Sequence, residues 1–209
     1  MQDGARWHHE AIPGIRVLPT SDRLLGMTFD DGPDAEFTPK VLDILERYGV
    51  RVTFFCLGAQ VDANPSVARR IVFAGHQIAN HSWSHPHAED VTPSELLREI
   101  AQTTETIHRV TGERPRWFRP PYGELLTEQA REVAAAGYRI AFWSVDSLDW
   151  SGIPGPQIVA NVVPSLQNGA ILLHHSAGHV AGTVDALPYE IELCLRLGYR
   201  FVRLDDVDA

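Results

Sequence analysis

The chain has 209 residues, 44% of them hydrophobic, and a formal charge of −9 from 18 basic and 27 acidic residues. That size and balance suit one soluble globular domain over residues 1–209. The acidic surplus argues against nucleic acid as a partner, since phosphate binding needs clustered Lys and Arg, and no apolar run approaches the roughly 20 residues of a membrane span.

Residues 24–29 read as a strand, and 38–48 as a helix whose apolar positions Val41, Leu42, Ile44 and Leu45 share one face. A strand over 52–57, a helix over 65–74 and a short strand over 77–80 follow. Thr92-Pro-Ser-Glu95 is a capping-box start with Pro at the first helical position, opening a helix that runs to Val110 and stops at Gly112. Then come a strand over 117–119, a helix over 127–136 and a strand over 139–144. A helix over 156–163, a strand over 170–173, a helix over 184–197 and a strand over 200–202 complete the chain. Strand and helix alternate about seven times. This predicts an α/β fold, a distorted (β/α) barrel with about seven parallel strands, with an open doubly wound sheet as the alternative. Cys56 and Cys194 lie in apolar surroundings and read as packed thiols. The first ten residues lack the basic and apolar stretches of a signal peptide.

The unusual polar residues gather at strand ends. Asp30 and Asp31 follow the first strand, His81 and His85 the third, and Arg119 ends the fourth. Asp146 and Asp149 follow the fifth, and His174 comes at the end of the sixth. In a parallel barrel these ends converge on one mouth. His81-Ser-Trp-Ser-His85 lets two imidazoles reach one ion if the segment makes a helical turn; the plain alternative is two surface or core histidines. Asp30-Asp31 reads either as an acidic opening to a Gly-Pro turn or as a functional pair. In the second reading one carboxylate holds a divalent ion, and the other takes a proton from a water the ion polarises.

These segments resemble the polysaccharide deacetylase family, the NodB-homology domain of carbohydrate esterase family 4. Thr28-Phe-Asp-Asp-Gly-Pro33, His81-Ser-Trp-Ser-His85, Arg119-Pro-Pro-Tyr122, Asp149-Trp150 and Leu172-Leu173-His174 match its five motifs in order. The resemblance implies one divalent metal, zinc first and cobalt or nickel as alternatives, held by Asp31, His81 and His85. It implies Asp30 as general base, oriented by Arg119, and the Tyr122 backbone N–H as an oxyanion donor. His174 would be the general acid, tuned by Asp149. Trp150, Leu172 and Pro120 would line the acetyl pocket. His175 leaves open which imidazole faces the mouth; strand alternation sends the two to opposite sides. The implied substrate is an N-acetylglucosamine-containing glycan, peptidoglycan or a chitin fragment, outside the cell or at its surface. O-acetyl xylan, a small amide or imide, and a non-catalytic glycan-binding role are the alternatives.

Trp117 and Trp143 read as core or rim packing, and Trp83 as a residue that positions the histidines or lines the cleft. His8, His9, His87, His108 and His179 read as surface histidines. No Gly-x-Ser-x-Gly elbow, phosphate loop or dinucleotide fingerprint is present in the sequence.

Overall fold

The computed structural model describes residues 13–207; His8 and His9 lie outside them. Eight strands among the described residues form one sheet: β1 (Leu24–Asp30), β2 (Thr53–Cys56), β3 (Gln77–Asn80), β4 (Trp117–Phe118), β5 (Arg139–Ile140), β6 (Val145–Asp146), β7 (Ile171–His175) and β8 (Arg200–Phe201). Seven of them follow the order β5-β4-β3-β2-β1-β7-β6, and β8 pairs with the first residues of β1. Every strand pair is parallel. The sheet curls into a partial barrel, so the seven-strand expectation holds and the open doubly wound alternative falls away.

Among the described residues, seven α-helices return the chain between strands: α1 (Phe37–Tyr48), α2 (Gly58–Ala63), α3 (Pro65–Phe73), α4 (Pro93–Thr111), α5 (Thr127–Ala135), α6 (Gly155–Val162) and α7 (Ala181–Arg196). The start of α4 is as the sequence predicts. Thr92 Oγ1 accepts from the Glu95 N–H, and Glu95 Oε2 accepts from the Thr92 N–H. Leu96, Ile100, Thr103, Ile107 and Val110 form its buried stripe, and Gly112 ends it at a left-handed φ of 83°.

Two differences bear on function. The stretch read as one strand over 139–144 is strand only at Arg139–Ile140, and a separate strand, β6, begins just past it at Val145. β5 pairs with β4, and β6 pairs with β7. Between them Ile15 is inserted, taking the Phe142 N–H on its carbonyl and donating its own N–H to Ile140. Val17 bridges Ala170 on the other side, so the 14–18 segment spans the seam. β7, for its part, runs two residues beyond the expected end, to His175. Helix α2 was not expected, because its six residues carry one buried apolar side chain, Val61, too few to show a period.

The strands divide the interior by alternation. Leu25, Met27 and Phe29 of β1 face outward and join one core with Val41, Leu42 and Leu45 of α1 and Leu187, Ile191 and Cys194 of α7. Each such side chain contributes about 1.5–3 kcal/mol by leaving water. Phe55, Ala79, Trp117, Ala141 and Ile171 fill the base of the barrel together with Leu18 and Leu204. Both cysteines are buried and unbridged, as expected. Among the described residues, no helix is long and apolar enough to cross a membrane.

Candidate active site

The register of β1 against β7 sets the site. Thr28 lies beside Leu173 and Asp30 beside His175, while Phe29 lies beside His174. Asp30, Leu173 and His175 therefore face the mouth, and Phe29 and His174 face the outer helices. The mouth is a cavity of about 360 Å³. Its polar lining is Asp30, Asp31, Asp146, His81, His85 and His175, and its apolar walls come from Pro120, Tyr122, Trp143, Trp150 and Leu173.

Three of these side chains converge on a point. His81 Nε2 is 3.5 Å and His85 Nε2 3.4 Å from Asp31 Oδ1, and the ligand atoms of the three residues lie within 4.8 Å of one another. Asp31 follows β1 in the left-handed region (φ 71°), which turns its carboxylate towards the histidines. Its Oδ1 is buried with no hydrogen-bond donor among the described residues. An anionic oxygen left bare between two imidazoles suits a cation, so the donor set fits a divalent metal with open positions. His81 Nδ1 lies 2.8 Å from the Arg119 carbonyl, which takes the ring proton and leaves Nε2 as a lone pair facing the site. Burial lowers this imidazole to about 3 and keeps it neutral, as a ligand must be. The 81–85 segment is not the helical turn that spacing suggested: it is an irregular loop with Ser82 and His85 at φ 68° and 63°.

Asp30 sits beside this cluster, its Oδ2 3.7 Å from His81 Nε2. Arg119, fully buried, holds it. Arg119 NH1 donates to Asp30 Oδ1 at 2.8 Å and to Thr28 Oγ1 at 2.7 Å, and NH2 donates to the Phe142 carbonyl at 2.9 Å. The guanidinium also lies over the Phe55 ring, 4.1 Å from its centre. Burial pushes the Asp30 carboxyl above its ordinary range, and the Arg119 charge and hydrogen bond oppose that rise.

The two histidines of β7 are corrected here. His174 does not reach the mouth. Its Nε2 meets Glu190 Oε2 of α7 at 3.1 Å, with both side chains completely buried. His175 instead faces the cavity, its Nε2 4.0 Å from Asp31 Oδ2. Asp149 pairs with His175 rather than His174: Oδ1 meets His175 Nδ1 at 2.7 Å, and Oδ2 accepts from the His175 N–H and from Thr183 Oγ1. Burial alone would lower the His175 imidazole, but the hydrogen bond and charge of Asp149 raise it to about 9; Asp149 itself falls to about 2. Leu172 is corrected for the same reason. It faces the outer core, and Leu173 takes the wall position. The match therefore moves one residue along, to Leu173-His174-His175.

Pro120 and Trp150 line the cavity as expected. Tyr122 does too, at the left-handed turn over Pro121–Gly123 (φ 57°). The next residue must be glycine, because a Cβ on Gly123 would come within 2.7 Å of the Trp143 ring. Trp143 is thus part of the mouth and not merely packing, whereas Trp117 is core. His87, read as a bare surface residue, stacks on Tyr122 at 3.8 Å. Asp146 lines the mouth and accepts from the Leu148 N–H. Thr183 and Glu190 had no sequence signal; they look like ordinary helix residues until β7 is placed.

The family profile for polysaccharide deacetylase matches residues 18–141, more than half of the chain. This chain belongs to the polysaccharide deacetylase family. A peptidoglycan-N-acetylglucosamine deacetylase of Bacillus cereus is 41% identical over 188 residues, covering 89% of this chain and 68% of that protein. A peptidoglycan-N-acetylglucosamine deacetylase of Listeria monocytogenes is 35% identical over 196 residues, 94% of this chain; the chain spans only 41% of that longer relative. Among solved structures, a peptidoglycan N-acetylglucosamine deacetylase in complex with an N-oxidanyl-benzamide superposes with a TM-score of 0.91 at 38% identity, covering 95% of this chain and 94% of the other. The chain shares the fold of these deacetylases, and a metal-dependent hydrolase is consistent with its membership of the family.

Proposed function

We propose that this chain removes N-acetyl groups from N-acetylglucosamine residues of a glycan, most simply peptidoglycan at the cell surface, with zinc as the metal. The observation that carries the reading is one small cavity where Asp30 and His175 lie beside the convergent Asp31, His81 and His85. A proton acceptor and a proton donor thus share one cavity with a cation-binding set. The similarity to the Bacillus and Listeria enzymes supports the choice of glycan.

Asp31, His81 and His85 would hold the metal, which when bound supplies Lewis acidity to the acetyl carbonyl and to a water. Asp30 takes the proton of the attacking water, held in place by Arg119. The Tyr122 N–H donates to the oxygen that gains charge as the carbonyl carbon becomes tetrahedral. His175, not His174, then protonates the departing amine, which is too basic to leave as an anion. Asp149 keeps a proton on Nδ1 and favours the cationic ring, whose second proton, on Nε2, is the one transferred. Leu173, Trp143, Trp150 and Pro120 enclose the acetyl methyl. The test is acetate release from N-acetylglucosamine oligomers and from peptidoglycan, with the metal stripped and zinc restored. Restored activity is expected, and no acetate from the zinc-reconstituted protein on either substrate would refute the reading.

A further inference from the structure

The histidine-bearing loop meets the rest of the backbone only through its carbonyls, Ser82 and Trp83 accepting from the Gly58 N–H at 2.9 Å and the Ala59 N–H at 3.3 Å. All four N–H groups of residues 82–85 go to side chains. Ser82 donates to Asn80 Oδ1 at 2.9 Å, and His85 donates to Ser82 Oγ at 3.1 Å. The other two, Trp83 and Ser84, both donate to one oxygen, Glu99 Oε2, at 2.8 Å each. The second oxygen of Glu99 accepts from Ser84 Oγ at 3.0 Å. Ser82 and His85 meanwhile occupy the left-handed region, which costs a non-glycine residue on the order of 1–3 kcal/mol and persists only where the surroundings over-determine it. Glu99 lies on α4, far along the chain, and touches neither the cavity nor any proposed ligand directly. Four residues further on, Thr103 packs with Trp83 against Gly58, where any Cβ would collide with both. Helix α4 thus grips the loop by a carboxylate and by a packing contact.

We propose that Glu99 is a positioning residue for the metal site, fixing the turn that points His81 and His85 at one spot and so setting the affinity for a divalent ion. The inference rests on the reading of Asp31, His81 and His85 as ligands. Without Glu99 the Trp83 and Ser84 N–H groups turn to water, and the strained turn relaxes. The imidazoles then spend less time converged, and the metal must order them on binding.

The test measures zinc affinity of the metal-free protein by chelator competition, with cobalt absorption as a readout of ligand geometry. Glu99→Ala should bind zinc about 10–100-fold more weakly, the range for loss of a group that orients ligands, and its cobalt bands should shift. Glu99→Gln keeps an acceptor oxygen for both N–H groups and should stay within about threefold of the parent. Glu105→Ala removes an exposed carboxylate of the same helix, paired with Arg114, and should leave affinity unchanged. If Glu99→Ala cannot be obtained folded, Glu99→Asp withdraws the carboxylate by one methylene and should show the same loss. Zinc affinity in Glu99→Ala within threefold of the parent overturns the proposal, as does an equal loss in Glu105→Ala. A parent protein that binds no zinc overturns the ligand reading along with it.

Discussion

His174 and His175 are neighbours of the same chemical type, yet the sheet gives them opposite surroundings. His175 looks into a water-accessible mouth and shares its proton with Asp149. His174 looks into the packing between β7 and α7 and meets Glu190 where neither side chain has any exposure. Burial would lower the His174 imidazole, and Glu190 raises it above its ordinary value; the Nδ1 of one and the Oε1 of the other remain without partners among the described residues. A residue's identity therefore says little about its use until the phase of its strand is known. Damage to the mouth should appear in rate, and damage to the outer face in stability.

The largest effect should come from His175→Ala, which is expected to lower kcat about 10²–10⁴-fold in the folded protein, beyond whatever stability is lost with the Asp149 pairing. A fully active variant would break the comparison. His174→Ala should do the reverse. It leaves Glu190 buried without its partner, which costs about 3–5 kcal/mol in chemical denaturation, while the folded fraction keeps its turnover. Converting both His174 and Glu190 to Leu should recover most of that stability. Thr183→Val sits between the two classes. Removing its hydrogen bond to the Asp149 carboxylate should cost about 1.5 kcal/mol and reduce activity far less than His175→Ala. The last prediction concerns shape more than size. In the metal-free protein, a His175 raised to about 9 contributes stability that is complete below its ordinary value near 6.5 and is lost as pH climbs through 9. The stability difference between the parent and His175→Ala should therefore shrink over that alkaline window, and a difference that stays flat would show that the Asp149 pairing does not stabilise the fold.

Much of this was legible in the residues. Asp30-Asp31, His81 and His85, and Arg119 each close an apolar segment, and their convergence follows from the parallel topology. The phase of β7 was not legible, because Ile171, Leu172 and Leu173 are apolar on both faces, as in strands covered on both sides, and no alternation shows which residues point inward. Only the pairing of Asp30 with His175 settles it. The split between β5 and β6 was hidden for a related reason: the seam is filled by residues 14–18, more than a hundred positions earlier. Glu99 reads as one more charge on the polar face of an amphipathic helix.

Arg119 draws these observations together. Its side chain starts just past β4, crosses the hollow of the sheet, and ends on β1 at Thr28 and Asp30 and on the 141–142 stretch beside the seam. No strand pairing joins β5 to β6, so this guanidinium works as a tie rod between walls that the backbone leaves unlaced. Lysine, with a single point charge in place of a planar fork, could not reach all of these acceptors. Silencing the chemistry by changing Asp30 and silencing it by changing Arg119 are thus unequal events. The first can leave the vessel standing, and the second loosens its walls.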